Sequence, residues 1–256
     1  MISLDDLDQA MRDPARRVPA IRRLGGGSLA VVANGDPWRV SGRASAIYAL
    51  RRPTGRILAL RVPLDDDPAV LARLGDRYHA LATDPALASL RAAGGPLPGE
   101  IRWLADAITL PTAGFRSVAH PLLAMEFVPG GTLVQAVATA VAAGSGEATA
   151  ALIPPLVRSL VGFERARFGH GDLRPDNILL RRPDDLAFAD LDRAAWPGSP
   201  GLPPGADPPA RDRLPALLLL TELLALAWQP ALRPAGSAAD GRLLFGSDDL
   251  ANPEHS

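Results

Sequence analysis

The chain has 256 residues, 47% of them hydrophobic and 21% charged, which is enough apolar content to close a core and excludes disorder as the main state. Its 27 basic residues face 28 acidic ones, a net charge of -1, so recognition of nucleic acid or of a membrane driven by bulk charge is excluded. There is no cysteine and none of the 27 cations is lysine, which removes disulfides, thiolate nucleophiles, thiolate zinc sites and any chemistry that needs a lysine amine.

Residues 1–6 carry neither a basic stretch nor a long apolar run, so no secretory signal is expected and a reducing cytoplasm suits the composition. Ser3 can cap a helix over 4–12, with Asp5 and Asp6 near its positive end and Pro14 beyond it. Gly25-Gly26-Gly27-Ser28 reads as a flexible connection, because no strand clearly precedes it and no helix follows. Short antiparallel strands are expected at 38–40, 46–50 and 57–62, turned at Ser41-Gly42 and at Pro53-Thr54-Gly55. Asp65-Asp66-Asp67 is a solvated loop leading into a helix over 69–82, where Leu71, Leu74, Tyr78 and Leu81 recur at helical spacing and His79 is half-buried. Two further strands follow at 101–108 and 122–128, separated by turn-rich residues that include 111–114.

After Pro129-Gly130-Gly131 the chain becomes rich in alanine and leucine, with helical segments expected at 132–143, 154–168 and 212–228 and a low-complexity surface loop over 197–209. The apolar stretch 214–228 is about fifteen residues long, is interrupted by Thr221-Glu222, and is too short for a bilayer span. Trp38, Trp103, Trp196 and Trp228 are dispersed and read as packing residues. A strand-rich first half before a helix-rich second half gives an α+β class with two lobes: a helix and connection over 1–36, a small β-rich lobe over 37–128, and a helical lobe over 129–256.

The run Gly169-His170-Gly171-Asp172-Leu173-Arg174-Pro175-Asp176-Asn177-Ile178-Leu179-Leu180 is followed by Leu186-Ala187-Phe188-Ala189-Asp190-Leu191-Asp192. An aspartate, four intervening residues, an asparagine, an apolar tail and a second aspartate about a dozen residues on resemble the catalytic loop and metal-binding strand of the protein-kinase-like superfamily. The resemblance implies a bilobal kinase-like fold with a shortened helical lobe. It makes Asp172 the base that orients an acceptor hydroxyl, Asn177 and Asp190 oxygen ligands for Mg2+, and Leu179 the apolar floor beneath adenine. Arg174, in place of a common lysine, would contact the transferring phosphoryl group. His170 would brace the loop through the backbone, and Asp192, where the family commonly has glycine, would cap a loop.

Upstream, Leu122-Leu123-Ala124-Met125-Glu126-Phe127-Val128-Pro129-Gly130-Gly131 resembles the family's hinge, with Met125 as gatekeeper and the Glu126 carbonyl and Val128 amide on the adenine edge. Ile57-Leu58-Ala59-Leu60-Arg61 stands where the family has a phosphate-pairing lysine, here Arg61. The run from Gly42 to Tyr48 occupies the place of the phosphate-covering loop with one glycine of the usual three, which puts Gly42 and Ser45 at the nucleotide and makes Ile47 and Ala59 its apolar roof. The helix over 69–82 has no glutamate to meet Arg61, and its nearest acid is Asp76. Asp212, in Arg211-Asp212-Arg213, matches the aspartate that braces the catalytic loop, and no arginine precedes Asp172 to read an activating phosphate.

A narrower resemblance, carried by these motifs and by Leu243-Leu244-Phe245-Gly246-Ser247-Asp248-Asp249-Leu250, is to a little-characterised group of bacterial serine/threonine protein-kinase-like proteins. The implied activity is transfer of the γ-phosphoryl group of ATP to a hydroxyl, on a serine or threonine of a protein substrate. The alternatives are a pseudokinase that binds nucleotide or a protein partner, and a small-molecule kinase of the aminoglycoside-phosphotransferase type, which shares the His-Gly-Asp loop.

Overall fold

The Ser3 hydroxyl accepts the Asp6 N–H at 3.1 Å and starts α1 (Leu4–Arg12), which turns Leu7, Ala10 and Met11 inward at one-turn spacing. The computed structural model describes residues 2–92, 94–111, 117–233 and 243–245. The chain divides into two units, one made of Met1–Asp84 with Gly99–Phe127, the other of Pro85–Pro98 with Val128–Ser256.

In the first unit α1, α2 (Pro14–Arg17) and α3 (Ala20–Arg23) lead to β1 (Ser28–Leu29). Then come β2 (Arg39–Ser41), β3 (Ser45–Arg51), β4 (Ile57–Pro63), α4 (Pro68–Thr83), β5 (Ile101–Pro111) and β6 (Ser117–Glu126). The strands form one antiparallel sheet in the order β1-β3-β4-β6-β5, with β2 also paired to β3. Register places Ile47 opposite Arg61 and Ala59 opposite Met125. Leu7, Met11, Tyr48, Leu50, Leu60, Ile108 and Leu122 share the core, so residues before 37 are part of this unit's interior. Asp8 fixes α1 to the sheet, accepting from the Tyr48 hydroxyl at 2.8 Å and from Arg39 at 2.7 Å. Burial first, and then Asp8, push the Tyr48 phenol up, which keeps it a neutral donor.

Several expectations change here. The glycine run has no strand before it and no helix after it, as expected, but its last member is closely seated, since a Cβ on Gly27 would run into the Arg51 carbonyl. β5 continues through Pro111, and residues 112–116 of the expected turn lie outside the described residues. His79 is exposed, because the inward stripe of α4 runs through Gly75, Tyr78 and Leu81. Gly75 has a packing reason: a Cβ there would lie 2.6 Å from Trp103 Nε1, and Trp103 stacks on Tyr78 with centroids 6.2 Å apart.

The second unit begins with α5 (Ala88–Arg91) and resumes with α6 (Leu133–Ala142), α7 (Gly146–Ala150) and α8 (Ile153–Arg165). A hairpin of β7 (Ile178–Arg182) and β8 (Asp185–Phe188) separates these from α9 (Ala210–Trp228). Thr132 and Gln135 form a reciprocal cap at the start of α6, at 3.3 and 2.9 Å. Phe163, Phe168, Phe188 and Trp196 pack in a chain of ring contacts. Trp228 departs from the packing expected of it, being 89% exposed. Among the described residues no helix is long and apolar enough to cross a membrane.

Candidate functional site

The β7–β8 hairpin is what brings the motif together. Its register pairs Ile178 with Phe188 and Leu179 with Ala187, so Asn177, just before β7, and Ala189-Asp190, just after β8, fall at the same end. The Ala189 N–H donates to the Asn177 carbonyl at 2.8 Å. His170, fully buried, joins this end to the loop: its Nε2 donates to the Ala189 carbonyl at 2.8 Å and its Nδ1 accepts the Asp172 N–H at 3.3 Å. Those two bonds select the neutral tautomer with hydrogen on Nε2. The Asn177 amide nitrogen donates to the Asp172 carbonyl at 2.9 Å and to Asp172 Oδ2 at 3.2 Å. That leaves the Asn177 side-chain oxygen as its acceptor. Asp190 is held at φ 58, ψ 58, a left-handed conformation that a short polar side chain tolerates and most residues avoid.

Asp212, in the first turn of α9, carries the other side of the loop. Its buried carboxylate accepts the backbone N–H groups of His170 and Gly171, the latter at 2.9 Å. Glycine is required twice: Gly171 has φ 77 and a Cβ there would sit 2.5 Å from the Arg193 carbonyl, while one on Gly169 would strike the Pro208 carbonyl. Arg174 lies on the solvent side, its Nε 3.3 Å from Asp172 Oδ1 and 3.7 Å from Asp176. Asp192 sits in the short 3-10 turn Leu191–Arg193. Leu179 is half-buried in β7, and the next residue, Leu180, donates its N–H to the Gly131 carbonyl at 3.0 Å.

Burial pushes the Asp212 carboxyl up, opposed by its two backbone donors, and pushes the His170 pKa down, opposed by the Ala189 bond and nearby carboxylates. His120, buried in the first unit against the Pro63 carbonyl, is lowered for the same reason. A histidine whose folded pKa lies below its unfolded value of about 6.5 leaves the unfolded chain holding more protons, so stability falls on acidification through that pH. Asp212 and Glu222, raised by burial, act in the opposite sense from about pH 4 upward. Urea titrations should therefore show His170→Gln flattening the loss of stability below about pH 6.5, by up to about 1.4 kcal/mol per pH unit. A pH profile parallel to wild type would contradict a buried neutral His170.

The residues expected at the nucleotide in the first unit are arranged separately. Gly42 donates its N–H to the Ser45 carbonyl at 3.0 Å in the turn between β2 and β3, and a Cβ on it would meet nothing within 4 Å. Arg61 is 8% exposed, donating from Nε to Ser45 Oγ and from a terminal nitrogen to the Tyr78 hydroxyl, both at 3.1 Å. Tyr78 rather than Asp76 meets it, since two residues along a helix are about 200° apart, and Asp76 is solvent-exposed. Ala59 and Met125 are buried cross-strand neighbours, and Ile47 is half-buried. The Glu126 carboxylate accepts the Gly99 N–H at 2.8 Å, and its own N–H donates to the Glu100 carbonyl at 3.0 Å. Val128, the first residue of the returning second-unit chain, is half-buried.

The structure thus gathers Asp172, Arg174, Asn177 and the backbone flank of Asp190 in the second unit, and Ser45 with Arg61 in the first. Among the described residues no three of histidine, cysteine, aspartate and glutamate cluster to hold a metal. The donors at the loop are one amide oxygen and aspartate carboxylates, a set chemically suited to a hard cation that keeps several waters. Sequence reasoning missed Tyr78 as the partner of Arg61, although the apolar stripe of α4 runs through it. No protein-family model matches the chain, and no curated protein matches it.

Proposed function

We propose that the chain is a kinase-like phosphotransferase that uses ATP with magnesium to phosphorylate a hydroxyl, on a serine or threonine of a protein. The observation that carries this reading is the mutual fixing of Asp172, Asn177 and Ala189-Asp190 by His170 and Asp212. Four backbone or side-chain bonds hold one carboxylate beside an amide and bring a second aspartate to the same hairpin end. Phosphoryl transfer calls for such positioning more than for covalent work.

In this reading Asp172 orients the acceptor hydroxyl and takes its proton, while Arg174, beside it and half-exposed, meets developing phosphoryl charge. Asn177 and Asp190 would hold the magnesium, and Glu126 and Val128 would seat the adenine edge. ATP bound with magnesium would supply the phosphoryl group and neutralise its charge. A second reading, a pseudokinase, is favoured by one observation: Arg61 is buried with its guanidinium on Ser45 and Tyr78.

Thermal shift with ATP, in magnesium and in chelator, together with transfer from γ-labelled ATP, tests both. Nucleotide at a hundred times its Kd stabilises by about 2.7 kcal/mol, and Asp190→Asn should remove the magnesium-dependent part. A shift with label transfer supports the kinase, and a shift without transfer supports the pseudokinase. No shift with millimolar nucleotide would sink the kinase and the nucleotide-binding pseudokinase, and would favour a scaffold that binds a protein partner alone.

A further inference from the structure

The helix α9 is apolar on two sides. Leu219, Leu223 and Leu226 face the interior of the second unit, yet Leu214, Leu217, Leu224 and Trp228 are 64%, 61%, 58% and 89% exposed. With Thr221 between them, these outward residues are spaced three, four, three and four apart. That is the seam by which one helix packs on another, and here it runs for about 21 Å. Beside it on α8, Val157 and Val161 are 39% and 41% exposed, one turn apart. Between the two helices lies a groove of about 390 Å³ lined by Leu160, Leu217 and Leu220. A helix that is apolar all round belongs in an interior. The six exposed side chains leave on the order of 600 Å² open, more than scattered surface residues leave and close to the roughly 800 Å² that each partner contributes to a standard interface.

We propose that this face is a two-fold interface between two copies of the chain, with the α9 helices antiparallel and crossing at Thr221. The flanks of the seam, Leu218, Leu220, Ala225 and Ala227, are uncharged. The nearest charges are Arg211 and Arg213 on α9 and Glu164 and Arg165 at the end of the groove on α8, and Arg213 is already held by Glu164 at 2.9 Å and Asp207 at 3.0 Å. The seam itself carries no charge code for a different protein, its charges standing at one end, and its ridge matches itself about a two-fold axis. Orientation follows from the ends: parallel helices would set Arg211 against Arg211, whereas antiparallel ones separate the two arginines and set Leu214 against Trp228. Thr221 is midway between Leu214 and Trp228, so it falls on the axis.

Sedimentation of the full chain across the micromolar range should give the mass of a dimer. Leu217→Glu with Leu224→Glu should give a monomer with unchanged circular dichroism, because both sites are exposed, and with a melting temperature that no longer rises with protein concentration. The chain lacks cysteine, so Thr221→Cys should cross-link through a disulfide under mild oxidation much faster than Thr54→Cys in an exposed turn, and Leu214→Cys should not. A monomer at every concentration, or Thr221→Cys no faster than Thr54→Cys, overturns the interface. Fast linking through Leu214→Cys overturns the antiparallel arrangement. A monomer that floats with anionic vesicles, and loses this with Leu217→Glu, assigns the face to a membrane surface and overturns the dimer.

Discussion

Asp212→Ala is expected to destabilise the second unit by about 2–4 kcal/mol, seen as a fall in Tm of roughly 5–12 °C, without touching any residue that would meet substrate. The carboxylate is the acceptor for two consecutive buried amides, those of His170 and Gly171. Alanine leaves both donors unpaired, and each orphaned buried donor costs about 1–3 kcal/mol. The order among replacements separates this cause from simple loss of a buried charge. Asp212→Asn keeps one acceptor oxygen but turns a donor toward the other amide, so it should fall between wild type and alanine. Asp212→Leu fills the space, yet should be no better than alanine, because both amides remain unsatisfied. Leucine as stable as wild type would show that the carboxylate is tolerated rather than required. Loosening these amides also frees the His170 ring, whose Nδ1 holds the Asp172 N–H, so any phosphoryl transfer should decline together with stability.

The α+β class and the strands and helices nearest the motifs were readable because their signals are local. Tyr78 and Leu81 repeat at helical spacing, and Ser3 announces a helix start through a bond made within three residues. What escaped depends on contacts distant in sequence. Nothing near Tyr78 announces that its hydroxyl meets a guanidinium seventeen positions earlier. The exposure of Trp228 is likewise invisible in a run of leucines and alanines that reads as core. At the loop, the ordered spacing of Asp172, Asn177 and Asp190 was legible, as was the bracing role of Asp212. The reason for two glycines around His170 was not, because it lies in the carbonyls of Pro208 and Arg193. The glycine at 42 shows the converse: the residue fits a phosphate-loop pattern, but no contact or left-handed torsion demands it.

In the proposed kinase reading, Asp172→Ala should reduce phosphoryl transfer by about 10²–10⁴-fold while leaving the fold and nucleotide binding nearly unchanged. The structural cost is small for identifiable reasons. Asn177 keeps its shorter bond, to the Asp172 carbonyl at 2.9 Å, and loses only the 3.2 Å bond to the side chain. Arg174 loses a partner at 3.3 Å, but at 55% exposure such a pair contributes about 0–1 kcal/mol. Neither Asn177 nor Asp190 is replaced, and Asn177 keeps its bond to the backbone, so the magnesium-dependent thermal shift should persist in Asp172→Ala and vanish in Asp190→Asn. Asp172→Asn sharpens the assignment: it preserves shape and can still contact the Asn177 amide through oxygen, but it is a far weaker base. A rate as low as that of alanine would therefore locate the effect in proton acceptance rather than packing. Label transfer that survives both substitutions would remove Asp172 from the chemistry, and a thermal shift lost in Asp172→Ala would make its role one of binding.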